Sequence, residues 1–169
     1  MNDITSVIRS RRSIRKFKPG VEIPKEHIHL MLEAAMMPPS ACNSRPWEFV
    51  VVETPAIREK IANAHPYAKM LHNASLAIVV CALNDAQEGI ATGFWPQDCG
   101  ASVENLLLQA VGLGYGTCWC GLYPNEKIIQ PMKDILGVQS MPVALVVIGE
   151  ADEEPKARGF YDETKVKYL

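Results

Sequence analysis

Three apolar runs constrain the fold of this chain more than any other feature. Phe49-Val50-Val51-Val52, Leu76 to Leu83 and Val143 to Ile148 are apolar or β-branched, with no polar alternation. A strand with one wet face alternates, whereas a continuous apolar run is buried on both faces. The chain is therefore expected to hold one central sheet with helices covering both sides. Its 169 residues suit a single domain, 1–169, long enough to bury a real core.

The segments between these runs supply the helices. Asp3 is placed to cap a short first helix reaching about Arg9. Pro24 suits the first position of a second helix. Its Ile28, Met31, Leu32, Ala35 and Met36 recur at the spacing of one buried face, and Pro38-Pro39 ends it. Asp98 to Leu113 is the longest helical segment, with Cys99, Val103, Leu106, Leu107, Ala110 and Val111 as its stripe and Leu108 and Leu113 widening it. A helix apolar nearly all round is buried centrally or shared with a partner. Gly112 and Gly114 stop that helix as a C-cap. Tyr115 to Cys120 then reads as a strand and Pro124 to Leu136 as a helix. Residues 150–169 are polar and Pro/Gly-punctuated, a C-terminal arm. Taken from the residues alone, the order is α+β or α/β around one sheet.

Charge is unevenly placed. Arg9, Arg11, Arg12, Arg15, Lys16 and Lys18 against Asp3 give the first 20 residues a local +5, while the whole chain carries −2. The sequence pI near 6.1 argues against a nucleic-acid binder, which spreads a basic stripe over the domain. A short cluster suits a compact anion. Guanidinium groups bind a phosphate monoester in bidentate fashion, better than single ammonium donors do. Arg11, Arg12 and Arg15 cannot share one side of a regular helix, but they can converge in the turn after one, with Ser13 adding a hydroxyl.

Other chemistries fall away on spacing. The five cysteines, at 42, 81, 99, 118 and 120, form neither a CxxC motif nor a paired zinc site, and the four histidines show no ligand spacing with them. No metal is expected. The odd thiol count and the charges from Arg9 to Lys18, which interrupt any secretory apolar run, point to a reducing, cytoplasmic compartment. No apolar segment approaches the ~20 residues of a membrane span. Gly112-Leu113-Gly114-Tyr115-Gly116 is not a dinucleotide fingerprint: Thr117 and Trp119 stand where the third glycine is needed, and the segment follows a helix.

The polar loop Pro39-Ser40-Ala41-Cys42-Asn43-Ser44-Arg45-Pro46-Trp47 offers donors and acceptors in a frame stiffened by prolines, with Trp47 expected in the core. This loop and Arg11-Arg12-Ser13-Ile14-Arg15-Lys16-Phe17 resemble the N-terminal signature of the FMN-dependent nitroreductase family. Asp98 to Leu108 resembles its central helix, Gly112 to Gly121 its flavin-edge segment, and Lys156-Ala157-Arg158 its C-terminal basic motif. The resemblance covers essentially the whole chain.

The resemblance implies an α+β fold: a central mixed, mostly antiparallel sheet flanked by helices, in an intertwined homodimer with FMN at the subunit interface. Arg11, Arg12, Ser13, Lys156 and Arg158 would hold the FMN phosphate, and Arg15 would approach the pyrimidine edge and tune the flavin. Pro39, Ser40 and Asn43 would contact the flavin from the partner chain. Backbone amides at Cys120 and Gly121 would face flavin N5 and O4. No side chain would be catalytic, because the cofactor carries the chemistry. The implied activity moves hydride from NAD(P)H to the flavin and then to an oxidised acceptor such as a nitroaromatic or quinone, in ping-pong fashion. The rival readings are a dehalogenating or flavin-modifying relative, and a flavin-binding sensor or carrier. Asp85 to Trp95 reads as a lid, where Phe94 and Trp95 either stack over the flavin or pack an interface.

Overall fold

The computed structural model describes residues 3–156 and 158–169. Helices α1 (Ile4–Ser10) and α2 (Lys25–Ala35) precede strand β1 (Trp47–Val52). Then α3 (Pro55–Ala64), β2 (Leu76–Ala82), α4 (Trp95–Gly112), β3 (Gly116–Gly121), α5 (Glu126–Leu136) and β4 (Met141–Gly149) alternate along the chain. The strands form one sheet in the order β1-β2-β4-β3, every pairing antiparallel. Among the described residues the one parallel element is an isolated bridge between Ser13 and Thr117. The expected mostly antiparallel α+β sheet is what the chain forms.

Both faces of the sheet are covered, as the unbroken apolar runs require. Every residue of β2 is buried. Its Leu76, Ile78, Val80 and Ala82 join α2 and α4 residues in one core cluster, while Ala77, Val79 and Cys81 join α3 and α5 residues in the other. The period-two alternation of a strand thus feeds two cores at once. Each buried Val, Leu or Ile contributes about 1.5–3 kcal/mol relative to exposure. Trp47, 8% exposed, packs in the α2/α4 core as expected.

Details at the helix ends differ from the expectation. Pro24 precedes α2 as its cap residue, and Asp3 precedes α1 without a side-chain cap bond. Met36 falls just past α2 and is 48% exposed, so the buried face ends one residue early, at Ala35. α5 begins at Glu126, where the Asn125 side chain accepts from the Lys127 N–H. The α4 helix starts three residues earlier than expected, at Trp95, with Pro96 tolerated in its first turn.

Residues 11–18 run extended along the edge of β3 and zip against the start of the C-terminal arm. Ile14 N donates to Thr117 O at 2.8 Å, Lys18 N to Glu150 O at 3.0 Å, and Asp152 N to Lys16 O at 2.9 Å. Two glycines let this segment lie flat. A Cβ at Gly116 would stand 2.9 Å from Ile14 Cγ1, and one at Gly149 would stand 3.0 Å from Phe17 Cδ1. Beyond this zipper, the described arm holds only one short 3-10 turn, Glu163–Lys165.

Candidate functional site

The zipper brings the two basic segments together. Arg11, Arg12, Ser13, Arg15, Lys156 and Arg158 line one cleft of about 390 Å³, with Glu153 and Pro155 completing its wall. Five fixed cations face one carboxylate across that space. Glu153 is occupied in part, because its Oε1 accepts from the backbone N–H of Arg15 and, at 3.0 Å, from that of Lys16. The donor set therefore fits a phosphate dianion, which takes several charge-assisted hydrogen bonds at once. Ala157, between the two C-terminal cations, lies outside the described residues.

The arginines are not equally free. α1 ends at Ser10, and the extended backbone after it lets all three reach the cleft. Arg11 Nε sits 3.3 Å from Glu104 Oε1 on α4. Arg12 Nη1 donates to the Arg11 carbonyl at 2.6 Å. Arg15 is exposed, with only a long 3.5 Å contact to Ser13 O. Glu104 therefore competes with any anion for Arg11.

The loop from Pro39 to Trp47 lies elsewhere, and Pro39, Ser40 and Asn43 do not line the arginine cleft. Its backbone is unusual: Cys42, Asn43 and Arg45 have φ of 49°, 55° and 48°, left-handed values that cost L-residues energy. Hydrogen bonds hold this shape. Arg45 N donates to Ser40 Oγ at 2.9 Å, and Arg45 Nε to Asn43 Oδ1 at 3.1 Å. Below the loop, Ala41 N donates to both Asp98 carboxyl oxygens at 3.2 Å. Gln87 gives its side-chain amide to Asp98 Oδ2 at 2.8 Å and to Ser44 Oγ at 3.1 Å, while its Oε1 accepts from Trp95 N at 2.9 Å.

Asp98 and Gln87, 8% and 5% exposed, are the residues that sequence reasoning missed. The one visible signal was an acidic residue in the first turn of a long apolar helix, which also suits the helix dipole. Gln87 gave none, since its role depends on three segments meeting in space. In the expected lid, Trp95 packs edge-on against Tyr123 with ring centroids 4.7 Å apart, and Phe94 is 44% exposed.

Cys120 and Gly121 sit at the end of β3. Leu122 N donates to Val143 O on the β4 side. Backbone groups alternate sides along an antiparallel strand, so Gly121 turns its own N–H and C=O to the outer edge, as Thr117 does. Cys120 is buried, with Sγ 3.6 Å from Tyr67 O, and Gly121 is exposed. The Cys118–Cys120 contact and nearby Arg15 lower the Cys118 thiol to about 7, while Cys118 and burial push the Cys120 thiol up.

Among the described residues no group of three or more His, Cys, Asp or Glu could hold a metal ion, and no helix is long and apolar enough to cross a membrane.

This geometry has counterparts among known proteins. The nitroreductase family model matches residues 8–65 and 63–150. A Methanothermobacter thermautotrophicus protein named as an NADH dehydrogenase/NAD(P)H nitroreductase is 37% identical over 166 residues, covering 97% of this chain and 85% of that protein. A CLA biosynthesis enone reductase of Lactiplantibacillus plantarum is 41% identical over 207 aligned residues, covering 99% of this chain and 95% of that one. Among solved structures, an FMN-dependent nitroreductase of Clostridium difficile shares 30% identity and superposes with a TM-score of 0.87 over 96% of each chain. With its sheet order, phosphate-suited cleft and nearly full-length match, the chain belongs to the nitroreductase family.

Proposed function

We propose that this chain is an NAD(P)H-dependent FMN oxidoreductase acting as a cytoplasmic homodimer, with residues 1–169 forming one FMN-binding unit and 150–169 serving as its arm. The observation that carries the reading is the five-cation cleft of Arg11, Arg12, Arg15, Lys156 and Arg158. Held there, FMN would supply the redox chemistry between NAD(P)H and an oxidised acceptor such as a nitroaromatic or quinone.

The residues bind, orient and tune. Arg11, Arg12, Ser13, Lys156 and Arg158 hold the phosphate. Arg15 places a fixed cation where electron uptake adds negative charge, which favours reduction. The outward N–H of Gly121, next to Cys120, provides a donor at the flavin edge. Pro39, Ser40 and Asn43 do not line the arginine cleft of their own chain, which supports their serving the flavin bound mainly by the partner. Exposed Ile4, Ile8, Met36 and Met37 on and beside α1 and α2, with Leu108 on α4, offer apolar surface for a homodimer seam. Five free cysteines suit a reducing compartment.

The similarity to an enone reductase favours a second acceptor class, a conjugated enone. The purified protein should be yellow and release FMN on denaturation, and it should oxidise NAD(P)H with a nitroaromatic, quinone or enone faster than free FMN does. A colourless protein that cannot be reconstituted with FMN overturns the reading. Stoichiometric FMN without turnover would make the chain a carrier.

A further inference from the structure

His65 is a histidine with both ring nitrogens committed. It follows the last residue of α3 and is 1% exposed. Tyr67 N donates to His65 Nδ1 at 3.1 Å, and His65 Nε2 lies 3.1 Å from the Gly121 carbonyl. A backbone N–H can only donate, so Nδ1 must be bare. A carbonyl can only accept, so Nε2 must carry the proton. The geometry selects one neutral tautomer, with no rotation of the ring that would satisfy both partners otherwise.

The far end of that bond is the residue that most needs holding. Gly121 lies on the outer edge of β3, and among the described residues no strand of the sheet lies beyond it. Its missing Cβ leaves φ and ψ loose. The bond from His65 fixes its carbonyl, and with it the direction of the N–H on the same edge. A second tie, Cys120 Sγ to Tyr67 O, keeps the 65–67 turn against β3.

We propose that His65 is a positioning residue for the redox reaction: its Nε2–H pins the Gly121 carbonyl so that the Gly121 N–H points at the reacting edge of the flavin. This rests on the FMN-site reading above. His65 is buried, 1% exposed. It acts through a glycine that cannot orient itself.

Ring ¹⁵N NMR of the unliganded wild-type chain at neutral pH reads the tautomer directly. A protonated Nε2 with a bare Nδ1 is expected, and a protonated Nδ1 overturns the proposal whatever the variants do. The variants His65→Gln and His65→Asn then separate the two nitrogens. The glutamine amide can occupy the place of Nε2, and the asparagine amide cannot reach Gly121. With FMN bound, His65→Asn should shift the ¹⁵N resonance of flavin N5 and slow hydride transfer on the order of tenfold, as expected for a reacting group held slightly out of line. FMN affinity should hardly change, because the phosphate grip lies elsewhere, and His65→Gln should restore most of the resonance and the rate. A folded, FMN-bound His65→Asn protein with wild-type N5 resonance and rate overturns the role of His65 alone. A wild-type chain that takes up no FMN overturns the cofactor reading itself.

Discussion

The Gln87 side-chain amide lies 2.8 Å from Asp98 Oδ2, and this buried pair ties two adjoining segments to a loop 43 or more residues away in the chain. Asp98 belongs to the first turn of α4, Gln87 to the segment before that helix, and both bond the loop that carries Ser40 and Asn43. The loop's three left-handed residues are stable only because such contacts over-determine them.

Asp98→Ala should leave the Ala41 N–H unmet and the Gln87 amide with Ser44 Oγ as its remaining acceptor. A loss of about 1–3 kcal/mol is expected for a buried donor stripped of its acceptor. Thermal unfolding will measure it, and FMN titration should show weaker binding as the loop relaxes. Asp98→Asn should be milder, since it keeps an acceptor.

Removing both ends of the cationic cleft, Arg11→Ala with Arg158→Ala, should weaken FMN binding by on the order of 10²-fold, because charge-assisted phosphate contacts are lost. The fold should survive, since neither side chain is in the core. Glu104→Gln should act in the opposite sense. Freeing Arg11 from its 3.3 Å ion pair should tighten FMN by roughly two- to fivefold, the scale of a partly exposed pair. Both effects are read by fluorescence titration at fixed salt, and tight FMN retained by the double variant would show that the phosphate sits elsewhere.

Thiol chemistry should single out Cys42. It is exposed, while Cys81, Cys99, Cys118 and Cys120 are buried. Burial first of all pushes Cys81 up to about 11 and Cys99 up to about 12. Cys118, though lowered, is shielded by burial, so at pH 8 a disulfide reagent should modify one thiol quickly in the folded protein and five in denaturant. The sign for stability follows from the same shifts. Both thiols sit above the value of 9.0 that a free cysteine has, so their contribution is complete below pH 9 and is lost as pH climbs from there through the folded values. Denaturant midpoints should fall across that alkaline range, and less so in a Cys81→Ala, Cys99→Ala double variant.

Gly116→Ala places a methyl 2.9 Å from Ile14 Cγ1 and 3.1 Å from Ala151 Cβ. Overpacking at a fixed contact costs about 1–3 kcal/mol. Here it should also push Ser13 and Arg15 out of line, because they flank Ile14. Chemical denaturation and FMN titration on the same variant should show both losses. Unchanged FMN affinity would mean the extended segment can shift without disturbing the cleft.

Much of the fold was legible locally. The runs at Val50, Val79 and Val146 demanded a doubly covered sheet, and the stripe through Val103 and Leu107 demanded a central helix. The cation cluster at Arg11, Arg12 and Arg15 was legible as charge. Its completion by Lys156 and Arg158 was legible only through resemblance, since some 140 residues separate them from it. The left-handed backbone at Cys42, Asn43 and Arg45 had no glycine to announce it. His65 had no ligand spacing to mark it.

The sequence alone determined which segments are strands, which helices bury a face, and that a dense positive charge stands near the N-terminus. These follow from periodicity and side-chain chemistry within a few turns of chain. Tertiary structure alone decided that residues 11–18 zip to the arm, that Asp98 and Gln87 hold a strained loop, and that His65 reaches Gly121. Each of those depends on long-range contacts. A hydrogen bond takes only a few ångströms of space, and no local pattern records which two distant residues will share it.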